Sequence, residues 1–442
     1  MTTRTHSIER AVLLALTAIA IAACGGSASG RPVASARPDP TGSALKPSAA
    51  PPSVEAPVPS EGPSADPTVE PSPAPTAHPP VPAGPVRPAV RAWSRQRTVF
   101  AGDCGVPAAS VDAGGRYHVV ASCDTRIRYA VSADGRTWTA HTFARPAHRL
   151  EVDPQVAVDG RTLYLAYTRL RPVDGGCGDD GLTDVGVYYR TKRLPDGAWS
   201  AAVRIGHVGD HLQSFRVVDR VIHETFVSAD GRGPVSYGRQ AGSTFSAIRL
   251  PEAVATSLRI GDDGRPRIAF TTQHTLRLAT VGRGGKLAVT TLFDGKDMAI
   301  VGPSLVLGAG NRAYLTWTAQ QPWGGGCADG ERPYPRKGVY FGTDASGAWQ
   351  VKRLSSVPGA SSIALDPDAG IAHTVISQQR GLRYLARDAA GAWSWQDIPD
   401  TDSTWALAVR HEPRTDALLV LAQSYGDGSP QIVAIIGSAR RS

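Results

Sequence analysis

The segment 132-SADGRTW-138 ends in a tight turn followed by an aromatic residue, and similar endings return along the chain. The later copies are 196-DGAW-199, 242-GSTF-245, 346-SGAW-349 and 390-AGAW-393. Asp-Gly and related pairs favour hairpin turns between strands. The spacing is 46 residues from Trp199 to Phe245 and 44 from Trp349 to Trp393. A period of this length indicates a repeated structural unit.

Each unit contains short segments rich in β-branched and aromatic residues. In the first unit these are ASVDAGG from Ala109, YHVVAS from Tyr117 and IRYAVS from Ile127, and a fourth begins at Trp138. Long helical periodicity is absent, and turn residues separate the segments. Four antiparallel strands per unit are typical of a β-propeller blade. The sequence therefore predicts an all-β propeller.

The number of blades follows from the ends of the domain. Six units are complete, and a seventh supplies only three strands, which begin near Thr404, Asp416 and Gln431. The segment RAWSRQRTVF from Arg91 carries an Ala-Trp-Ser motif like those at two of the repeat aromatics. We expect Trp93 to begin the missing outer strand, because closing the ring removes unpaired sheet edges. This predicts seven blades, with six or eight as alternatives.

The first turn segment also carries a family resemblance. Its residues Ser132, Asp134, Gly135, Thr137 and Trp138 resemble the Asp box of BNR-repeat, sialidase-like propellers. In that family the box joins the third and fourth strands, away from the catalytic face, and it has a structural role. The other units keep only the turn and the aromatic residue, so the resemblance rests on one complete box.

Membership of the sialidase family would imply an arginine triad, a Tyr–Glu nucleophile pair and an acidic acid/base. The family's early Arg-Ile-Pro motif is not found here, and typical sialidases have six blades. Arg216 and Arg259 lie on predicted inner strands, and Glu224 lies nearby in sequence, so these side chains are candidates for a central cavity. Their alternative role is that of solvated or structurally paired charges, and no catalytic residue is assigned.

Three histidines recur near the starts of second strands: His118, His223 and His373. One interpretation is a three-histidine metal site. The other is one hydrogen-bonded histidine per blade, which we favour because the three belong to blades that are not adjacent.

Two glycine-rich cysteine loops occupy the same position in blades two and five. They read PVDGGCGDDG from Pro172 and PWGGGCADG from Pro322, between the second and third strands. An even number of cysteines in an exported domain suggests disulfide bonds. Strand direction favours the pairs Cys104–Cys123 and Cys177–Cys327, the second forming a strap over the channel. The competing pairs are Cys123–Cys177 and Cys104–Cys327.

The loops also supply candidate ligand-binding residues. With the inner-strand arginines, we assign to a ligand-binding face the following: Trp323, Asp179, Asp180, Asp329, Arg216 and Arg259. The loop aspartates are candidate calcium ligands, although their spacing matches no known calcium loop. No other cofactor is expected.

The N-terminal region predicts export. Residues 1–23 have a basic start and a short apolar run typical of a signal peptide. Ile21-Ala22-Ala23-Cys24 resembles the lipobox of bacterial lipoproteins, in which the cysteine is lipidated. The alternative is an ordinary secretory signal. Residues 24–91 are rich in Pro, Ala and Ser and predict a disordered tether or spacer, and 92–442 form the propeller.

Composition limits the function classes. The net charge is +8, but no cluster of five or six like charges and no aromatic-lined basic stripe is present, which argues against nucleic-acid binding. We expect a monomeric, lipid-anchored module on the outer face of a bacterial cell membrane that binds a glycan or a protein. The alternative is a sialidase-like exo-glycoside hydrolase, and a lyase or a metal-bearing scaffold is a weaker third interpretation.

Overall fold

The computed structural model describes residues 91–174, 180–228, 233–322, 335–402, 404–425 and 430–439. The side chains of 173–182, 184, 406 and 407 lie outside that description. The regular secondary structure of the described residues is almost entirely β-strand and forms seven sheets, which confirms the predicted seven-bladed propeller. Among the described residues, no helix has the length and apolar character needed to cross a membrane.

The first six blades each contain four antiparallel strands, numbered from the inner to the outer strand. Blade one comprises β3 (Ala108–Val111), β4 (Tyr117–Cys123), β5 (Arg126–Ser132) and β6 (Thr139–Thr142). Blade two comprises β7 (Leu150–Asp159), β8 (Thr162–Asp174), β9 (Asp180–Arg193) and β10 (Val203–Ile205). Blade three comprises β11 (His211–Val218), β12 (Val221–Val227), β13 (Val235–Ala241) and β14 (Thr244–Arg249). Blade four comprises β15 (Ala255–Ile260), β16 (Pro266–Thr271), β17 (Thr275–Val281) and β18 (Leu287–Asp294). Blade five comprises β19 (Ala299–Leu307), β20 (Ala313–Gln320), β21 (Gly338–Thr343) and β22 (Gln350–Ser355). Blade six comprises β23 (Ser361–Asp366), β24 (Ile371–Ser377), β25 (Leu382–Arg387) and β26 (Trp393–Ile398). Short 3-10 turns occur at Arg283–Gly285 and Ala309–Asn311.

Blade seven joins the two ends of the described chain. Its inner strands are β27 (Thr404–Glu412), β28 (Ala417–Ser424) and β29 (Gln431–Ala439). The outer edge of β29 pairs with β1 (Arg91–Trp93) and β2 (Arg97–Phe100), and Trp93 lies opposite Gly437. The expected closure of the last blade by the N-terminal segment is therefore confirmed, although Trp93 ends β1 and does not begin the outer strand. The first described strand already includes Arg91, which the sequence analysis had placed at the end of the tether.

In blades three, five and seven, the repeated aromatic residue packs over a glycine of the third strand. A Cβ added to Gly437 would lie 2.5 Å from the Trp93 ring, and one added to Gly342 would lie 2.3 Å from Trp349. Only glycine leaves room for an indole this close to the backbone. Trp93 thus occupies in blade seven the position of Trp349 in blade five.

The hydrophobic core lies between neighbouring blades. One cluster joins blades seven and one, with Leu419 and Leu421 packing against Val119 and Ala121, all fully buried. Alternating side chains from both faces of each sheet fill these spaces, as expected for stacked sheets.

A chain of serine hydroxyls links the inner strands. The Oγ atoms of Ser214, Ser257, Ser304 and Ser362 each accept a hydrogen bond from a backbone N–H of the next blade, at 3.2, 3.0, 3.4 and 3.1 Å. Between blades seven and one, the Nε of Arg410 donates to the carbonyl oxygen of Ala109 at 2.6 Å. These bonds hold the inner strands around a central channel.

Antiparallel connections give the ring two distinct faces. The turns between first and second strands, and between third and fourth strands, lie on one side, which we call the lower face. The connections between second and third strands, and between blades, lie on the upper face. The Ser132–Trp138 hairpin is on the lower face. Its Asp134 carboxylate accepts hydrogen bonds from the N–H groups of Arg136 and Thr137, at 2.8 and 2.9 Å.

Candidate functional site in the central channel

The central channel contains a cavity of about 320 Å³ lined by the inner strands of all seven blades. The lining residues come from the later parts of these strands, which places the cavity in the half of the channel nearer the lower face. Most of them are small or aliphatic, such as Ala109, Val158 and Ile363. The charged or titratable exceptions are Arg216, Arg259, Arg410 and His411.

Among the described residues, the three guanidinium groups hydrogen-bond only to backbone carbonyls. Arg216 donates to the carbonyl of Phe215, and Arg259 Nη1 donates to the carbonyl of Leu258 at 2.8 Å. Arg410 donates to its own strand and to blade one. Among the described residues, none of the three forms an ion pair with a carboxylate. The cavity therefore carries positive charge that no described acid neutralises.

Burial lowers the pKa values of two of these arginines. Burial lowers the pKa of Arg216 to about 9, and repulsion from the positive charge of Arg410 adds to the shift. Burial alone lowers the pKa of Arg410 to about 10. Burying a charge without a counter-charge is unfavourable, so an anion entering the cavity would be stabilised there.

Of the three side chains proposed for a central cavity, Glu224 is the exception. Arg216 and Arg259 line the cavity, whereas Glu224 does not. Glu224 is 1% exposed, and neither carboxylate oxygen has a hydrogen-bond partner among the described residues. Burial raises its pKa to about 8, and the nearby charge of Asp210 contributes. The described lining holds no tyrosine and no carboxylate, so it provides no Tyr–Glu pair of the kind that the hydrolase alternative requires.

The repeated histidines each pair with a tyrosine of the neighbouring strand in the same blade. The histidine Nδ1 lies 2.8, 2.7 and 2.9 Å from the tyrosine hydroxyl in the pairs His118–Tyr129, His223–Tyr237 and His373–Tyr384. This is one hydrogen-bonded histidine per blade, and the three do not converge on a common site.

His373 differs from the other two because it has titratable neighbours from blade seven. Its ring stacks on His411 at 5.4 Å between centroids. Nε2 of His411 lies 3.0 Å from Oδ1 of Asp416, which also accepts from Arg91 at 2.7 Å. Burial lowers the pKa of His373 to about 3, and the charges of Arg91 and His411 add to this shift. His373 is therefore neutral at physiological pH.

Several residues of this region were not predicted from the sequence. Arg410, His411, Asp366 and Asp416 all lie in segments of ordinary strand-and-turn sequence. The available signal was positional. Arg410 falls on an inner strand like Arg216, and Asp366 is the last residue of the inner strand of blade six, where Asp112 directly follows the inner strand of blade one.

The predicted upper-face loop residues fall largely outside the described chain. This applies to Cys177, Asp179, Trp323, Cys327 and Asp329, whereas Asp180 begins β9 but its side chain is not described. The strap Cys177–Cys327 and the calcium site remain predictions.

Cys104 and Cys123 form a disulfide bond, with their Cα atoms 4.0 Å apart. They are the pair that strand direction favoured, and both are buried. The bond joins the start of blade one to the end of its second strand on the upper face. A bond between these two residues is incompatible with the alternative Cys123–Cys177.

Comparison with known proteins identifies the fold. No protein-family model matches the chain, and no curated protein matches it. Among solved structures, an ulvan lyase is similar with a TM-score of 0.54 and 14% identity, over 79% of this chain and 98% of that chain. An ulvan lyase bound to -[GlcA(1-4)Rha3S]- gives 0.53 and 15%, with the same coverage. A sialidase from Trypanosoma rangeli gives 0.44 and 12%, over 76% of this chain and 55% of that chain.

The similar solved structures thus include a polysaccharide lyase and sialidases. At these identities the likeness shows the fold alone.

Proposed function

We propose that this propeller is a binding module whose central channel accepts an anionic ligand. The observation that supports it is the set of three guanidinium groups in one cavity with no ion-paired carboxylate among the described residues. Guanidinium binds carboxylate, sulfate and phosphate through paired, charge-assisted hydrogen bonds. Such bonds strengthen when both groups are shielded from water.

The ligand class follows from the size and lining of the cavity. A volume of about 320 Å³ lies within the range of small-molecule sites. The aliphatic walls beside the arginines suit a compact ring that carries an acidic group. An acidic saccharide meets these requirements, and the uronate and sulfated sugar bound by the ulvan lyase make a suitable first probe.

The binding proposal can be tested by isothermal titration calorimetry of the full-length protein. The probes are an oligosaccharide of glucuronate and sulfated rhamnose and a neutral oligosaccharide of equal length. We expect the acidic probe to bind, with affinity falling as salt rises. Arg216→Gln or Arg259→Gln should weaken binding at least about 10-fold, since each removes a charge-assisted bond.

Arg383→Gln is the matched control. Arg383 is on β25 and pairs with Asp397 at 2.7 Å, away from the cavity. Its loss also removes one positive charge and should leave the affinity unchanged. Equal binding of acidic and neutral probes, no binding of the acidic probe, or channel variants that bind as well as wild type would each refute the proposal.

We also propose that the propeller is displayed outside the cell on a lipid attached to Cys24. The support is the short apolar run that ends in Ile21-Ala22-Ala23-Cys24, followed by the proline-rich segment. Wild-type protein expressed in a bacterium should partition into the detergent phase, and Cys24→Ser protein should stay in the aqueous phase. Aqueous partitioning of the wild type would contradict the anchor.

A further inference from the structure

A cluster of potential metal ligands lies between blades six and seven near the lower face. Asp366 ends β23, His373 lies in β24, His411 lies in β27, and Asp416 lies in the turn that follows β27. One ligand atom from each of the four lies within 4.8 Å of all the others. The side chains of His411 and Asp366 are 4% and 14% exposed, and His373 is fully buried.

The buried ring of His373 presents a nitrogen without a partner. Its Nδ1 contacts the hydroxyl of Tyr384, whereas its Nε2 has no hydrogen-bond partner among the described residues. The equivalent nitrogen of His118 in blade one lies 3.1 Å from Asp112. Leaving a buried polar nitrogen unpaired costs about 1–3 kcal/mol, so this one requires an explanation.

We propose that Asp366, His373, His411 and Asp416 bind a divalent transition-metal ion such as Zn²⁺. Two imidazole nitrogens and two carboxylate oxygens suit zinc in tetrahedral coordination. Calcium prefers six to eight oxygen ligands, so this donor set does not favour it. The ion would give the Nε2 of His373 its missing partner, and the contact between Tyr384 and Nδ1 fixes the ring orientation, as outer partners of metal-bound histidines do.

The present distances are close to those of such a site. Bonds of about 2.0–2.2 Å in a tetrahedron separate neighbouring ligand atoms by about 3.3 Å. Nε2 of His411 lies 3.0 Å from Oδ1 of Asp416 and 4.0 Å from Oδ2 of Asp366, which bracket that value. The other pairs of ligand atoms lie within 4.8 Å, so binding would draw them together by up to about 1.5 Å. Binding would exchange the His411–Asp416 hydrogen bond for two bonds to the ion.

Arg91 sets a limit on the affinity. Its guanidinium bonds Asp416 and carries a positive charge next to the proposed ion. Two carboxylates outweigh this one cation, but the repulsion makes the site weaker than a structural zinc site without such a neighbour. We expect a dissociation constant in the micromolar range. Since His411 also lines the central cavity, the ion would lie in the cavity wall.

The metal proposal can be tested on the full-length, oxidised protein after treatment with EDTA. Titration with Zn²⁺ should give one ion per chain and a higher melting temperature, as for any ligand that binds only the folded state. Co²⁺ should give the intense visible absorption of a tetrahedral site. Asp366→Asn and His411→Gln should each weaken Zn²⁺ binding at least about 100-fold and abolish the Co²⁺ spectrum.

His118→Gln is the matched control, because it alters the same histidine–tyrosine pair in blade one. It should lower stability but leave Zn²⁺ affinity and the Co²⁺ spectrum unchanged. The proposal is overturned if wild-type protein takes up neither metal at millimolar concentration. It is equally overturned if the Asp366→Asn and His411→Gln proteins both still bind one ion with wild-type affinity.

Discussion

Blades one and six contain the same histidine–tyrosine pair in two different surroundings. His118 and His373 occupy equivalent positions, and each contacts a tyrosine hydroxyl through Nδ1. In blade one, Asp112 completes the pair by contacting the second ring nitrogen at 3.1 Å. In blade six, the corresponding Asp366 makes no such contact, although it lies at the same end of the inner strand.

The difference arises from the neighbours that ring closure supplies. Blade seven contributes His411 and Asp416 beside His373, and the N-terminal strand contributes Arg91. In blade one, both ring nitrogens of His118 have partners from the same blade. In blade six, the pair faces three titratable groups from elsewhere in the chain. A repeated structural element can therefore acquire a separate chemical role beside the blade in which the first and last described strands pair.

The largest effect should come from removing the closing arginine. Arg91 is 4% exposed and donates to Asp416 Oδ1 at 2.7 Å and to the carbonyl of Gly437 at 3.2 Å. Arg91→Met should lower the free energy of unfolding by about 3 kcal/mol, because the Gly437 carbonyl loses this donor and Asp416 keeps His411 but loses the buried guanidinium. This loss of unfolding free energy is at the low end of that for breaking a buried ion pair, because Asp416 is 45% exposed. Denaturant titration measures it.

Arg116→Met is the corresponding change in blade one. Arg116 is 33% exposed, and its partner Asp112 retains His118 and backbone N–H groups as donors. We expect a loss of about 1 kcal/mol or less. Equal losses in the two variants would show that the two surroundings are energetically alike and would remove the basis of the comparison.

The contrast between the two blades also shows where sequence reasoning succeeds. Turn and strand patterns are local, so the period of the repeat predicted seven blades and the pairing of Trp93 with the last sheet. Strand direction selected Cys104 and Cys123, and placement on inner strands selected Arg216 and Arg259. These inferences need only the position of a residue within its own blade.

The cluster between blades six and seven could not be predicted in this way. Asp366 and His411 belong to different blades, and Arg91 is separated from Asp416 by almost the whole domain. Their proximity depends on how adjacent blades face each other after closure, and no spacing in the sequence encodes that. Glu224 was misplaced for a related reason, since a residue of a second strand points between blades and not into the channel.

The third histidine–tyrosine pair gives a smaller and more selective test, through pH. His223 in blade three has no ion-paired carboxylate among the described residues, and burial lowers its pKa to about 4, with the charge of Arg239 contributing. Since the unfolded value is near 6.5, the unfolded chain takes up a proton first as pH falls. The stability linked to neutral His223 is thus present above pH 6.5 and is lost as pH falls toward 4. His223→Gln should retain about 2 kcal/mol more of its pH 7 stability at pH 4.5 than wild type does, as measured by urea unfolding at both values.

His118→Gln provides the comparison within the same experiment, and it should change the pH dependence less. Burial also lowers the pKa of His118, but the hydrogen bond and negative charge of Asp112 oppose that shift, because they favour the protonated ring. The protonated state of His118 is therefore tolerated in the fold better than that of His223. Replacing His118 should lower stability at both pH values by similar amounts, through loss of its two hydrogen bonds. If His118→Gln instead reduced the loss of stability between pH 7 and pH 4.5 as much as His223→Gln does, Asp112 would not be compensating the charge of His118. The protonated ring of His118 in blade one would then be no better stabilised than that of His223.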